Sequence, residues 1–116
     1  QTRVLHPLRD QKPQRLAGIG RELDLIKQAT QATQRGAYKT ATTLLRTHKR
    51  EYPRGALAQD REALRAIVLC NSGKAKAGRA AATRFARRFP DSVHTKRVHE
   101  ACVDADVDAD VDEVDR

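Results

Sequence analysis

The sequence predicts an all-α fold: two stacked helical hairpins followed by a C-terminal capping helix. Three observations point there. Apolar residues recur at three- and four-residue spacing through most of the chain, and no segment of the body alternates as a strand does. The core must come from Ala, Leu, Val and Ile, because the 116 residues include two Phe, two Tyr and no Trp or Met. Small side chains suit closely approaching helices better than a β-sandwich. The helix-breaking residues also repeat: Gly36 and Gly73 stand 37 residues apart, and so do Pro53 and Pro90.

Residues 1–14, "QTRVLHPLRDQKPQ", hold two prolines and no sustained period, and read as a linker with Val4 and Leu5 available to dock. The helical domain spans 15–102. From Arg15, the residues Leu16, Ile19, Leu23, Ile26 and Thr30 follow a helical stripe, widened by Leu25, Ala29 and Ala32, until Gly36 ends it. A second helix sets Ala37, Ala41, Leu44, Leu45, His48 and Tyr52 on one side, and Pro53 and Gly55 stop it. The third places Leu57, Ala63, Leu64, Ile67, Val68 and Cys70 on its apolar side, and "NSG" at 71–73 closes it. The fourth, "GKAKAGRAAATRFARRFP" at 73–90, offers Ala75, Ala77, Ala81, Ala82, Phe85, Ala86 and Phe89. Asp91 and Ser92 then suit the N-cap of a short last helix carrying Val93, Val98, Ala101 and Cys102. Leu44, Leu45, Leu64, Ile67, Val68 and Phe85 are the expected core, with Phe85 between the hairpins.

Each repeat reads as helix, Gly turn, helix, aromatic-Pro stop, with Tyr52-Pro53 matched by Phe89-Pro90. In "QRGAYKTA" at 34–41, Tyr38 follows the Gly by two residues and Ala41 by five, and Pro53 comes 17 after Gly36. This unit resembles a tetratricopeptide repeat. In the second unit Ala75 stands in place of the Tyr and Gly78 in place of the Ala, and the period is longer than the family's. The resemblance covers about 16–102 and is nearest to divergent repeats of bacterial envelope lipoproteins and regulators. It implies a scaffold that binds a peptide or partner subunit, in the bacterial cytoplasm or in the periplasm and cell envelope, as part of a longer protein. The start at Gln1 rather than Met fits that expectation. No catalytic residue comes with the resemblance.

The charge is uneven. Residues 1–102 hold 22 Lys and Arg against 8 Asp and Glu, a balance of +14, while 103–116 hold one Arg against seven acids, a balance of −6. The basic body attracts an anionic partner by its field alone. Arg46, Arg50, Arg84, Arg87 and Arg88 form the candidate strip for such a partner. Base-stacking aromatics do not interleave with it, which argues against single-stranded nucleic acid. The tail, "DADVDADVDEVD" at 104–115, resembles the start of a calcium loop, but Ala109 replaces its Gly and Asp115 its bidentate Glu. It reads as a disordered acidic tail able to fold back over the basic strip.

Chemistry-bearing patterns are otherwise missing. His94 and His99 are five apart, off the spacing that puts two ligands on one helix face, and the four histidines read as surface or partly packed. "GIGRE" at 18–22 lacks phosphate-loop spacing, and Asp60 and Glu62 point to different sides of a helix. Cys70 and Cys102 fit apolar positions, which suggests two buried thiols, with one disulfide between helices as the alternative. No run approaches the ~20 apolar residues of a membrane span. The expected function is a non-enzymatic protein-interaction or assembly module without cofactor or metal. The alternative is a basic nucleic-acid-binding domain modulated by its acidic tail; weak, non-specific contact with nucleic acid is compatible with the first reading.

Overall fold

The computed structural model describes residues 20–103; the expected linker, the expected helical start at 15–19 with Leu16 and Ile19, and the tail beyond Val103 lie outside them. Among the described residues five helices follow one another with no strand: α1 over 20–34, α2 Tyr38–Glu51, α3 Ala58–Asn71, α4 Ala75–Arg88 and α5 over 95–103. α3 packs against both α2 and α4. The 37-residue period is kept at the level of helices. α4 begins and ends 37 residues after α2, α5 begins 37 after α3, and α1 and α3 end 37 apart. The capping helix α5 therefore holds the register of the first helix of a further hairpin.

The turns form for the reasons their residues suggest. Gly36 and Gly73 take φ of 78° and 87°, a left-handed conformation that costs glycine little. The next N–H in each case closes the helix end, Ala37 donating to the Ala32 carbonyl at 2.8 Å and Lys74 to the Leu69 carbonyl at 3.0 Å. Tyr52 and Phe89 leave the helical region just before Pro53 and Pro90, as a residue preceding proline is pushed to do.

Ala41 and Gly78 occupy the same repeat position, and both are buried. Ala41 has no exposed surface and sits in a cluster with Ile26, Ala29, Ala32, Leu45, Leu64 and Val68. Gly78 is tighter still. A Cβ there would lie 2.8 Å from the Cys70 backbone nitrogen and closer to its Sγ. Cys70 and Cys102 are joined as a disulfide, so the expectation of two buried free thiols is corrected. Their positions are apolar as expected. What the spacing did not convey is that α5 docks into the α3–α4 crossing, where the Cα atoms come to 5.1 Å. Closing a loop of this length stabilises the fold by about 3–4 kcal/mol, mainly through the unfolded chain.

A second cluster joins Ala63, Ala66 and Ile67 of α3 to Ala81 and Phe85 of α4 and Val98 of α5. Leu45, Leu64, Ile67, Val68 and Phe85 are buried as expected, but Leu44 is only half-buried, and Phe85 packs against α3 and α5 rather than between the two hairpins. Leu23 is exposed because the inward stripe of α1 runs through Glu22, Leu25, Ile26, Ala29 and Ala32, one position off the expected one. Val93 is exposed because it sits in the turn before α5, where the His94 N–H donates to Ser92 Oγ at 3.0 Å. Ala77 and Ala86 lie exposed on α4.

Replacing Ala41 with Phe is expected to overpack the first crossing and lower stability by roughly 1–3 kcal/mol. A thermal melt of Ala41→Phe with an unchanged midpoint would contradict the crossing described here.

Candidate functional site

Two arrangements stand out, one buried and one open. The buried one starts from Glu22, His48 and Arg61, each at an inward position of its helix and each nearly inaccessible. Arg61 Nη1 lies 3.2 Å from His48 Nδ1, and His48 Nε2 lies 3.0 Å from Glu22 Oε2. Guanidinium groups only donate, so Nδ1 accepts and the ring proton sits on Nε2, directed at the carboxylate. Glu22 Oε2 also accepts the Leu57 N–H at 2.8 Å. Arg61 donates to the Tyr52 carbonyl at 3.1 Å and through Nε to Glu62 at 2.8 Å. The α2–α3 loop is thus gripped from both sides. Gly55 lets the carboxylate in, since a Cβ there would overlap it. Nearby, Arg21 donates to both carboxylate oxygens of Glu51 at 2.7 and 3.0 Å. That pairing holds the Glu51 carboxyl below its ordinary value. Its hydrogen bonds join α1, α2 and α3 to the loop between α2 and α3.

The open arrangement is a groove between α4 and α5, a cavity of about 320 Å³. Its α4 wall is Arg79, Ala82 and Ala86, its α5 wall Val98, His99 and Val103, and Phe85 and Cys102 form its floor. Counting back 37 residues explains the space. At the α2–α3 junction the positions of Ala82 and Val98 are held by Leu45 and Arg61, both buried and larger. Among the described residues the same frame, with smaller side chains, is left unfilled. The position of fully buried Ala66 is likewise held on α5 by Val103, which is 39 % exposed.

The expected basic strip is divided among surfaces. Arg84 and Arg88 line a shallow cleft with Arg65 and Glu62 on the α3 side of α4, and Arg88 lies over the Phe89 ring, 5.3 Å from its centroid. Arg87 is on the other ridge, four residues from Thr83 and eight from Arg79, which both line the groove. Arg46 and Arg50 share a ridge of α2, which does not approach α4 closely, and Arg50 lies 3.8 Å from Glu51. His94 pairs with Asp60 at 3.1 Å and ties the start of α5 to α3. Sequence reasoning missed Glu22 and Arg61 as site residues, and the expectation of surface or partly packed histidines is corrected for His48, which is fully buried. The available signal was a charge in phase with the apolar stripe, Glu22 with Ile26 and Ala29, and Arg61 with Leu64 and Val68.

Comparison of the chain with protein-family models, with curated proteins and with solved structures found no match. No helix among the described residues is long and apolar enough to cross a membrane.

Removing Glu22 leaves the buried His48 Nε2–H and the Leu57 N–H without their acceptor. Glu22→Ala is expected to cost about 3–5 kcal/mol, whereas Glu22→Gln, which keeps an acceptor for the Leu57 N–H, costs less. Denaturant unfolding of both variants checks this. Equal, small losses would show that the network holds nothing.

Proposed function

We propose that this domain is a non-enzymatic protein-interaction or assembly module of tetratricopeptide-like hairpins, whose α4–α5 groove seats an acidic, apolar-faced segment of a protein partner. The observation that carries the reading is the unfilled junction: one repeat interface is packed with Leu45 and Arg61, and its counterpart is an apolar groove. Its borders are basic. Arg79 and Arg87 lie along the α4 side, and Lys96 is one turn from His99 on the α5 side. α4 as a whole carries Lys76, Arg79, Arg84, Arg87 and Arg88 and no acid. Apolar contact gives affinity, and the cations favour an acidic partner and speed its approach. The Cys70–Cys102 disulfide supports an oxidising compartment such as the periplasm or cell envelope over the cytoplasm.

The test sets an amphipathic peptide, with leucines at four- and three-residue spacing and glutamates on its other face, against duplex DNA. The peptide is expected to bind at physiological salt and to lose at least about tenfold in affinity, roughly 1.4 kcal/mol, when Ala86→Trp fills the groove. DNA binding is expected to fade at that salt to weaker than about a micromolar. Tight, salt-resistant DNA binding indifferent to Ala86→Trp but lost in Arg84→Glu, Arg87→Glu and Arg88→Glu together would overturn the proposal in favour of a nucleic-acid site.

A further inference from the structure

We infer that the α4–α5 groove has an occupant within the chain itself, the acidic segment 104–116, which a partner must displace. The inference rests on the reading of this groove as a seat for an acidic, apolar-faced segment. The first argument is continuity. The last described residue, Val103, is itself a wall of the groove, so the segment starts at the groove mouth. The second is reach. Residues 104–116 measure about 20 Å as a helix and up to about 40 Å extended, and α4 is about 21 Å long, so the segment reaches along the groove in either form. The third is composition. Val107, Val111 and Val114 follow Val103 at four-, four- and three-residue spacing, the period of one helix face. Branched apolar side chains of that size match a cavity whose walls are Ala82, Ala86, Val98 and Val103.

The fourth argument is charge. Seven of the segment's residues are Asp or Glu, while Arg79 and Arg87 lie along the α4 side of the groove and Lys96 near its α5 side. A tethered segment has an effective concentration in the millimolar range, so weak intrinsic contact is enough to keep it seated. Its valines enter the groove and its carboxylates meet the α4 cations along the edge. The groove is then self-masked, and only a partner that outcompetes the tether gains it. This masks a specific apolar seat and leaves the Arg46–Arg50 ridge of α2 untouched.

The test uses the full chain. Valines 107, 111 and 114 are replaced with Ser, and backbone and methyl NMR signals are compared with the parent. The expected result is displacement of the Ala82, Ala86, Val98 and Val103 signals in the variant. A synthetic peptide of residues 104–116 added to that variant should restore the parental positions. Anilinonaphthalene sulfonate should bind the variant at least about tenfold more tightly than the parent, because the seat has been vacated. Unmoved groove signals, with the dye bound equally by parent and variant and expelled by Ala86→Trp, would overturn the self-masking and keep the groove as a seat for a foreign partner. Unmoved signals with no groove-dependent dye binding would overturn both.

Discussion

Three helices and one loop meet at the His48 imidazole. Glu22 reaches it from α1, Arg61 from α3, and both continue past it to the backbone of the α2–α3 connection. Desolvating these groups is expensive, and it is tolerated because each finds partners. The arrangement also imposes geometry. An apolar contact between helices permits sliding, but a carboxylate that must meet both an imidazole and the Leu57 N–H permits one relative placement of α1, α2 and α3. The register of α3 then fixes where α4 crosses it, and the disulfide at that crossing fixes α5. The groove at the far end inherits its walls from this chain of constraints.

The second junction uses the same frame with a different filling. His48 is replaced by Phe85, Arg61 by Val98 and Glu22 by Gln59, each 37 residues on. Glycine at 55 admits the Glu22 carboxylate to the loop backbone. Its counterpart Ser92 instead carries a hydroxyl that donates to Gln59 Oε1 at 2.5 Å and accepts the His94 N–H. One loop is held by the Glu22–His48–Arg61 network and the other by the Ser92–Gln59 relay and the His94–Asp60 pair. Ala82 and Val98 are smaller than Leu45 and Arg61, which is why space remains between α4 and α5.

Much of this frame was legible in the sequence because it rests on local rules. A left-handed Gly36, a helix-ending Pro53 and a small Ala41 each have one structural use at their positions, and their recurrence 37 residues later made the hairpins visible. The disulfide and the network were less legible for a shared reason. Both depend on which residues of different helices meet, and single-helix periodicity carries no such information. Glu22 looked like a solvated acid and Leu23 like core because the apolar stripe was phased on leucine. The phase is in truth set by the carboxylate and its partners. The groove was illegible in the same way, since Ala82 and Ala86 read as packing residues and instead line it.

The ordering role of the buried network is most directly tested at the His48 ring. Long-range proton–nitrogen correlation NMR on the full chain distinguishes a protonated ring nitrogen from an accepting one. The account predicts a single tautomer, with Nε2 carrying the proton toward Glu22 and Nδ1 accepting from Arg61, and with the Nε2 proton protected from exchange with water. A Nδ1-protonated ring, or averaged signals with rapid proton exchange, would show that Glu22, His48 and Arg61 do not form the junction from which the rest of the fold is ordered.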